Sequence, residues 1–411
     1  MIGVIILFSF TLFLTHNYSP KLIGEYDFIR TFLLVLGTIC LMGTEQSILY
    51  FAGVVKSKGS LKNLKDIYLK TTTILLVSSL TALIFLLLIG RGLINNFFND
   101  SIIFTIIFKA TICLFFFCLT TLNTEFFRAI DKVYTAELYR NTYKYLSVII
   151  GAIYLLKIHK EEFLVDTFLI GFIVLSIIST ISIKRILKVR INEQETIKTL
   201  NISYKEIIKS SYPMAISGTI FFLIMSFDIF FIKKYCGNNY VAFYSTVIKL
   251  VTVISTIFIS VNINVSSKIS ELFFKNNLGE LQKTLQSGSR LIFIICFPIT
   301  VIICFFPQTL LNIFGKSYVA GANSLLIIMI GQVIASFFGN VNVYLNMTGR
   351  QKIYQNILLI TLLIDLGLNI LLVPKQGMFG AAIAFTCSNL FSTIVTTIVI
   401  YKKDKMKIYI H

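Results

Sequence analysis

Six ionisable side chains interrupt long apolar runs of this sequence: Arg30, Glu45, Lys109, Asp228, Lys249 and Asp365. A charge held at bilayer depth costs several kcal/mol unless it is paired or hydrated, so each marks a candidate site. Three are cations. Arg30, Lys109 and Lys249 could together line a wet path for an anionic headgroup. Lys249 lies deepest of the three, about 13 Å into its run at 1.5 Å per residue. Its structural alternative is an ion pair with Asp228 or Asp365. Arg30 could equally be an interfacial anchor paired with Glu25 or Asp27, and Lys109 could snorkel. The acids Glu45, Asp228 and Asp365 could couple transport to H⁺ or Na⁺, or pair with the cations. Asn369 falls one turn after Asp365 on the same face. Gln332, Ser336 and Asn340 recur at i, i+4, i+8 and form a polar stripe on an apolar helix, suited to hydroxyl-rich cargo or to bonding between helices.

Other chemistries are excluded by what the chain lacks. It has no GxxxxGK[ST] loop for ATP, no HExxH, no paired Cys/His metal set and no nucleophile elbow. The seven cysteines form no CxxC pair, and most fall in apolar runs as small buried residues. His16, His159 and His411 are scattered. No joint is long enough to hold a soluble catalytic domain. The expectation is a non-enzyme without a cofactor.

The elements that position these residues follow from composition. Of 411 residues, 56% are hydrophobic and only 14% charged, about half the charge of a soluble chain. A spanning helix needs about 20 apolar residues. Counting apolar runs gives twelve spans, near 1–15, 28–53, 67–89, 102–124, 143–157, 164–183, 211–232, 240–262, 290–310, 321–345, 354–373 and 380–400. The fold class is therefore an all-α integral membrane protein. With the N-terminus inside, 26 Lys and Arg fall on cytoplasmic joints and nine on the opposite joints. That asymmetry predicts an N-in, C-in topology. It also accounts for most of the net charge of +18 without nucleic acid.

The longest joint, 184–210, divides the spans six and six. The expected organisation is a first six-helix bundle at 1–183, a cytoplasmic linker at 184–210, a second bundle at 211–400 and a basic tail at 401–411. Two echoes at one offset support a duplication: Tyr26 with Tyr244, and Asp131 with Gly349, each 218 residues apart. The offset leaves the first half short of two turns at its start, through a late start or a truncated N-terminus. Parallel repeats of this kind rock around a central cavity in some secondary transporters.

The order of motifs in 210–400 resembles the oligosaccharide flippases of the MATE-like exporter superfamily, the polysaccharide transporter family. The matching pieces are Pro213 then Asp228, Tyr244 then Lys249, Ile313 to Tyr318, Gly331-Gln332, and Asn346 to Arg350. The longest is Asn369 to Pro374 followed by Gly377 to Ala382. The resemblance implies a substrate: a polyprenyl-diphosphate-linked oligosaccharide, moved across a bacterial cytoplasmic membrane for O-antigen, capsule or exopolysaccharide synthesis. It also implies a polysaccharide polymerase and a chain-length regulator as protein partners. The alternatives are a cation-coupled drug or metabolite antiporter on the same fold, and a non-transporting scaffold.

Overall fold

Among the described residues, the twelve apolar runs are mainly helical. The computed structural model describes residues 2–58, 61–192, 202–339, 341–406 and 408. The first part of the chain forms α1 (Ile2–Asn17), α2 (Pro20–Leu41), α3 (Thr44–Lys58), α4 (Leu61–Phe98), α5 (Ile103–Ala129), α6 (Val133–Glu137), α7 (Lys144–Lys157) and α8 (Leu164–Asn192). Then come α9 (Tyr204–Ile224), α10 (Phe227–Cys236), α11 (Asn238–Phe274), α12 (Leu278–Phe305), α13 (Pro307–Asn312), α14 (Ala322–Phe338), α15 (Val341–Met347) and α16 (Gln351–Asp404). No strand occurs among the described residues. In a bilayer this is forced, because a helix satisfies its own backbone polar groups.

Seven of the helical stretches are long and apolar enough to cross a membrane, or eight if the bent pair α2 and α3 counts as one span. The other expected spans are short, broken or fused. α16 contains the last two and turns at Gly377, where φ is 57°. The second expected span bends by 49° between α2 and α3, with Met42 and Gly43 at positive φ. The seventh breaks between Ile224 and Phe227. Hydropathy alone gave no sign of these breaks.

The chain packs as two compact units. The first is residues 1–10 with 17–222; the second is residues 11–16 with 223–411. In the first, α5 is central, with α2, α3, α4 and α8 packed on it. A buried polar chain stitches three of these helices: Tyr68 donates to Asn123 Oδ1 (2.7 Å), and Asn123 donates to Ser179 (2.8 Å) and Thr180 (2.9 Å). Such bonds substitute for the hydrophobic drive that lipid cannot supply. In the second unit, α14 packs on α12 and α16, and α10 lies on α16.

The proposed duplication has a backbone signature. Asp131 (φ 63°) and Gly349 (φ 75°) are both left-handed. A second pair at the same offset, His159 (φ 52°) and Gly377 (φ 57°), is left-handed too. α5 ends at Ala129 and α15 at Met347, and α6 starts at Val133 and α16 at Gln351. Non-glycine residues take this conformation rarely, so its recurrence at one spacing is not composition. Each unit also ties this corner with an arginine. Arg128 bonds Glu125 (3.2 Å) and Glu137. Arg350 grips the Asp404 carboxylate through both guanidinium nitrogens, while Tyr344 donates to Asp404 (2.7 Å) and Phe273 lies 5.6 Å under the guanidinium.

Candidate functional site

In the second unit, three of the expected residues converge. The break before α10 places Asp228 in the first turn of a new helix, where unpaired N–H groups and the helix dipole favour an acid. Its carboxylate accepts from the Tyr244 hydroxyl of α11 (2.6 Å) and from the Asn369 amide of α16 (3.0 Å). The same amide nitrogen reaches Asp365 Oδ2 (3.3 Å). Asp365, Asn369 and Ser388 are fully buried, and Asp228 is 1% exposed.

The arrangement leaves oxygens over. Asp365 Oδ1, Asn369 Oδ1 and Ser388 Oγ are buried without a hydrogen-bond partner, and Ser388 faces the Asp365 carboxyl. Buried acceptors without partners are costly. Two carboxylates, an amide oxygen and a hydroxyl around one point fit a proton or a hard monovalent cation. Among the described residues no cluster of three or more His, Cys, Asp or Glu exists for a transition metal.

Lys249 is buried, at 6% exposure. It follows Tyr244 by five residues on α11, about 140° further around the helix, so it addresses a different sector from the tyrosine that holds Asp228. Gln332 and Ser336 are buried on α14. The Ser336 hydroxyl donates back to Val333 O of its own helix (2.6 Å). Asn340, the third member of that stripe, lies outside the described residues.

The first unit holds the remaining candidates. Arg30 on α2 bonds Asp27 (3.4 Å), its expected neighbour, and Asp27 is 1% exposed. Close by are two further cations, Arg140 and Lys144. Lys144 sits near enough to Arg30 and Arg140 for their charges to interact, and its ammonium stands 5.9 Å over the Phe172 ring. Tyr26 and Tyr145 border Arg30. A π-helix, Leu138–Tyr143, leads into Lys144; such bulges re-aim side chains and concentrate at functional sites. The spacing of Arg140 and Lys144 at i, i+4 was the available signal.

Lys109 stands elsewhere. It pairs with Asp166 of α8 (2.7 Å) and its side chain is 47% exposed, the snorkelling geometry of a partner at the helix end. Glu45 begins α3 at the bend, with Oε2 buried and unpartnered. Beside it Gly43 (φ 75°) lets α9 come close: a Cβ there would stand 2.4 Å from Ser211 O. Ser211 donates to Ser47 (2.7 Å) across the same approach.

Comparison with known proteins is decisive for the fold. A multidrug resistance MATE family transporter of the MOP superfamily, inward-facing, superposes with a TM-score of 0.77 over 98% of this chain and 96% of that one, at 14% identity. The fold is that of the MATE-like exporters. The lipid II flippase MurJ in an inward closed conformation follows with a TM-score of 0.74 over 97% and 87%, also at 14% identity. The MatE family model matches residues 213–371, less than half of the chain. A Shigella flexneri protein named for O-antigen transport is 27% identical over 180 residues, 42% of this chain and 41% of its own length. The chain spans less than half the length of the curated relatives it matches. The resemblance of the second half to MATE-like exporters is thus borne out. These structural neighbours are named as a flippase and a transporter, and the chain is a multi-pass membrane protein.

Proposed function

We propose that the protein is a flippase for polyprenyl-diphosphate-linked oligosaccharide in a bacterial cytoplasmic membrane, working by alternating access. The headgroup passes cations of each unit: the half-buried Arg30 with Lys144 in the first, the buried Lys249 in the second. A diphosphate leaves water only where fixed positive charge replaces its hydration. The polyprenyl chain remains in lipid. Asp228, Asp365, Asn369 and Ser388 hold the coupling H⁺ or Na⁺, and binding there biases one conformation. The relatives named for O-antigen transport and lipid II flipping support a lipid-linked cargo.

The observation that carries this reading is the buried Lys249. On insertion scales a lysine at the bilayer centre costs about 3 kcal/mol, and an anionic cargo is one use, beside its protein contacts, that would repay it. In a strain that depends on this gene for its surface glycan, Lys249→Ala abolishes the glycan and lipid-linked oligosaccharide accumulates on the cytoplasmic face. Lys249→Arg restores part of it. Full surface glycan in the alanine variant at normal protein level would refute the cation role.

A second reading has its own support. The Asp228–Asp365 pair with its spare oxygens is also what a cation-coupled antiporter of cationic compounds needs. That reading predicts that efflux of cationic dyes fails in Asp365→Asn and survives in Lys249→Ala.

A further inference from the structure

One cavity of the second unit is unused by the reading above. About 440 Å³ in volume, it lies where the α10–α11 turn, the start of α14 and the Gly377 turn of α16 meet, and is lined by Tyr235, Tyr240, Asn323, Ser324, Gln376 and Met378. Helix parity puts these three turns at one end of the unit, the end that the positive-inside pattern assigns to the outer face. Cys236 at its edge follows Asp228 by eight residues along α10, about 12 Å of helix.

We propose that this cavity is a glycan subsite that receives sugars of the cargo on the outer side. The inference deepens the flippase reading and rests on it for its biological use, though not for its test. Three features select a saccharide. Tyr235 and Tyr240 are 46% and 44% exposed at the rim, and flat rings of this kind take the C–H face of a pyranose. Phe243 braces Tyr240 edge-on at 5.9 Å, so the ring is presented at little entropic cost. Asn323 and Gln376 each offer a donor and an acceptor on one planar group, the pattern that matches vicinal hydroxyls.

Tyrosines at a membrane interface are ordinary, and alone they would mean nothing. The deciding group is Ser324. It is 1% exposed, its Oγ has no hydrogen-bond partner, and it lines the cavity. A buried hydroxyl without a partner is a waiting donor or acceptor. The lining contains no carboxylate, which disfavours a cationic ligand. The volume falls within the usual range for ligand sites, about 300–1,000 Å³.

The chain has no tryptophan, so Tyr240→Trp installs a single emission reporter that keeps an aromatic platform. Tyr235→Trp serves as a second reporter. The full-length protein in lipid nanodiscs is titrated with maltotriose and with chitotriose, and with glycerol as a polyol control. The expected result is a saturable emission change with at least one trisaccharide in the millimolar range, absent with glycerol. Adding Asn323→Ala and Ser324→Ala weakens it about tenfold, equivalent to about 1.4 kcal/mol. If neither trisaccharide moves either reporter, or if the response survives loss of Asn323 and Ser324, the subsite is overturned. Saccharide binding that persists while Lys249→Ala retains full surface glycan would instead refute the cation role in the flippase reading and spare the subsite.

Discussion

Asp365→Asn separates a cation site from a merely polar core. Asp228 Oδ1 and Asp365 Oδ2 share the Asn369 amide nitrogen at 3.0 and 3.3 Å. The two oxygens are then no more than about 6 Å apart, and two full charges at that distance repel by about 3 kcal/mol at an effective dielectric of about 20. A bound cation relieves this repulsion and stabilises the folded state by about 2.7 kcal/mol at a hundredfold excess over its Kd. For a unit of this size that is roughly 5–10 °C in Tm. The asparagine keeps the shape and one acceptor but removes a charge. In melts of the purified protein, sodium chloride is compared with choline chloride at equal ionic strength and at two pH values. The wild type should gain several degrees from one of the two cations. Asp365→Asn should melt no lower than the wild type in choline and should lose most of the response to both. A variant that keeps the full wild-type response would refute the cage, since the charge would then play no part in binding.

Four further outcomes follow from the geometry. Lys144→Glu at normal expression should reduce surface glycan at least as severely as Arg30→Ala, because it inverts the charge beside Arg30; unchanged glycan would remove Lys144 from the path. Arg350→Ala and Asp404→Ala should each cost about 2–3 kcal/mol and the double variant little more than either, as read in a thermal double-mutant cycle; additive losses would mean that the clasp contributes nothing as a pair. Gly43→Ala should cost well over the 1–2 kcal/mol of a left-handed alanine, because its Cβ would meet Ser211 O at 2.4 Å, whereas Gly90→Ala (φ 78°) meets nothing within 4 Å; equal melting points for the two would contradict the close approach of α9. A reporter fused after Lys402 should read cytoplasm and one at 234–239 the outside, and the reverse would invert the span assignment.

The acid cluster was legible before the structure because a carboxylate in an apolar run is expensive wherever it points. Asp228 and Asp365 therefore stood out singly, and Asn369 followed from the four-residue period. That they share one amide was not legible, because it depends on α10 restarting after Ile224, and a helix break changes direction without changing hydropathy. Ser388 was invisible for another reason: serine is common in spanning helices, and only its lack of a partner marks it. For the cations the sequence left alternatives open that the side-chain geometry separates. Lys109, open between a cavity role and snorkelling, reaches Asp166 with half its side chain exposed. Lys144, at the start of the expected span 143–157, is carried beside Arg30 after a π-helical turn. A long flexible stem lets a cation near a span end face inward or outward, and one residue of extra winding decides between them.

The repeat makes the difference between the units informative. Where the chain must turn, the two halves agree: left-handed residues recur at 131 and 349 and at 159 and 377, and an arginine ties the first of these corners in each. Where charge is buried, they diverge. The first unit sets the half-buried Arg30 against the buried Asp27, with Lys144 near enough to feel the Arg30 charge. The second sets two acids against an amide and a hydroxyl. Shared corners keep each unit rigid, since a turn that only one φ permits cannot drift. Sites that need opposite charge cannot share residues, so under the proposed flippase reading the first unit would supply an anion's counter-charge and the second would hold a cation. A transporter that couples an anionic cargo to a cation needs both, and a scaffold needs neither.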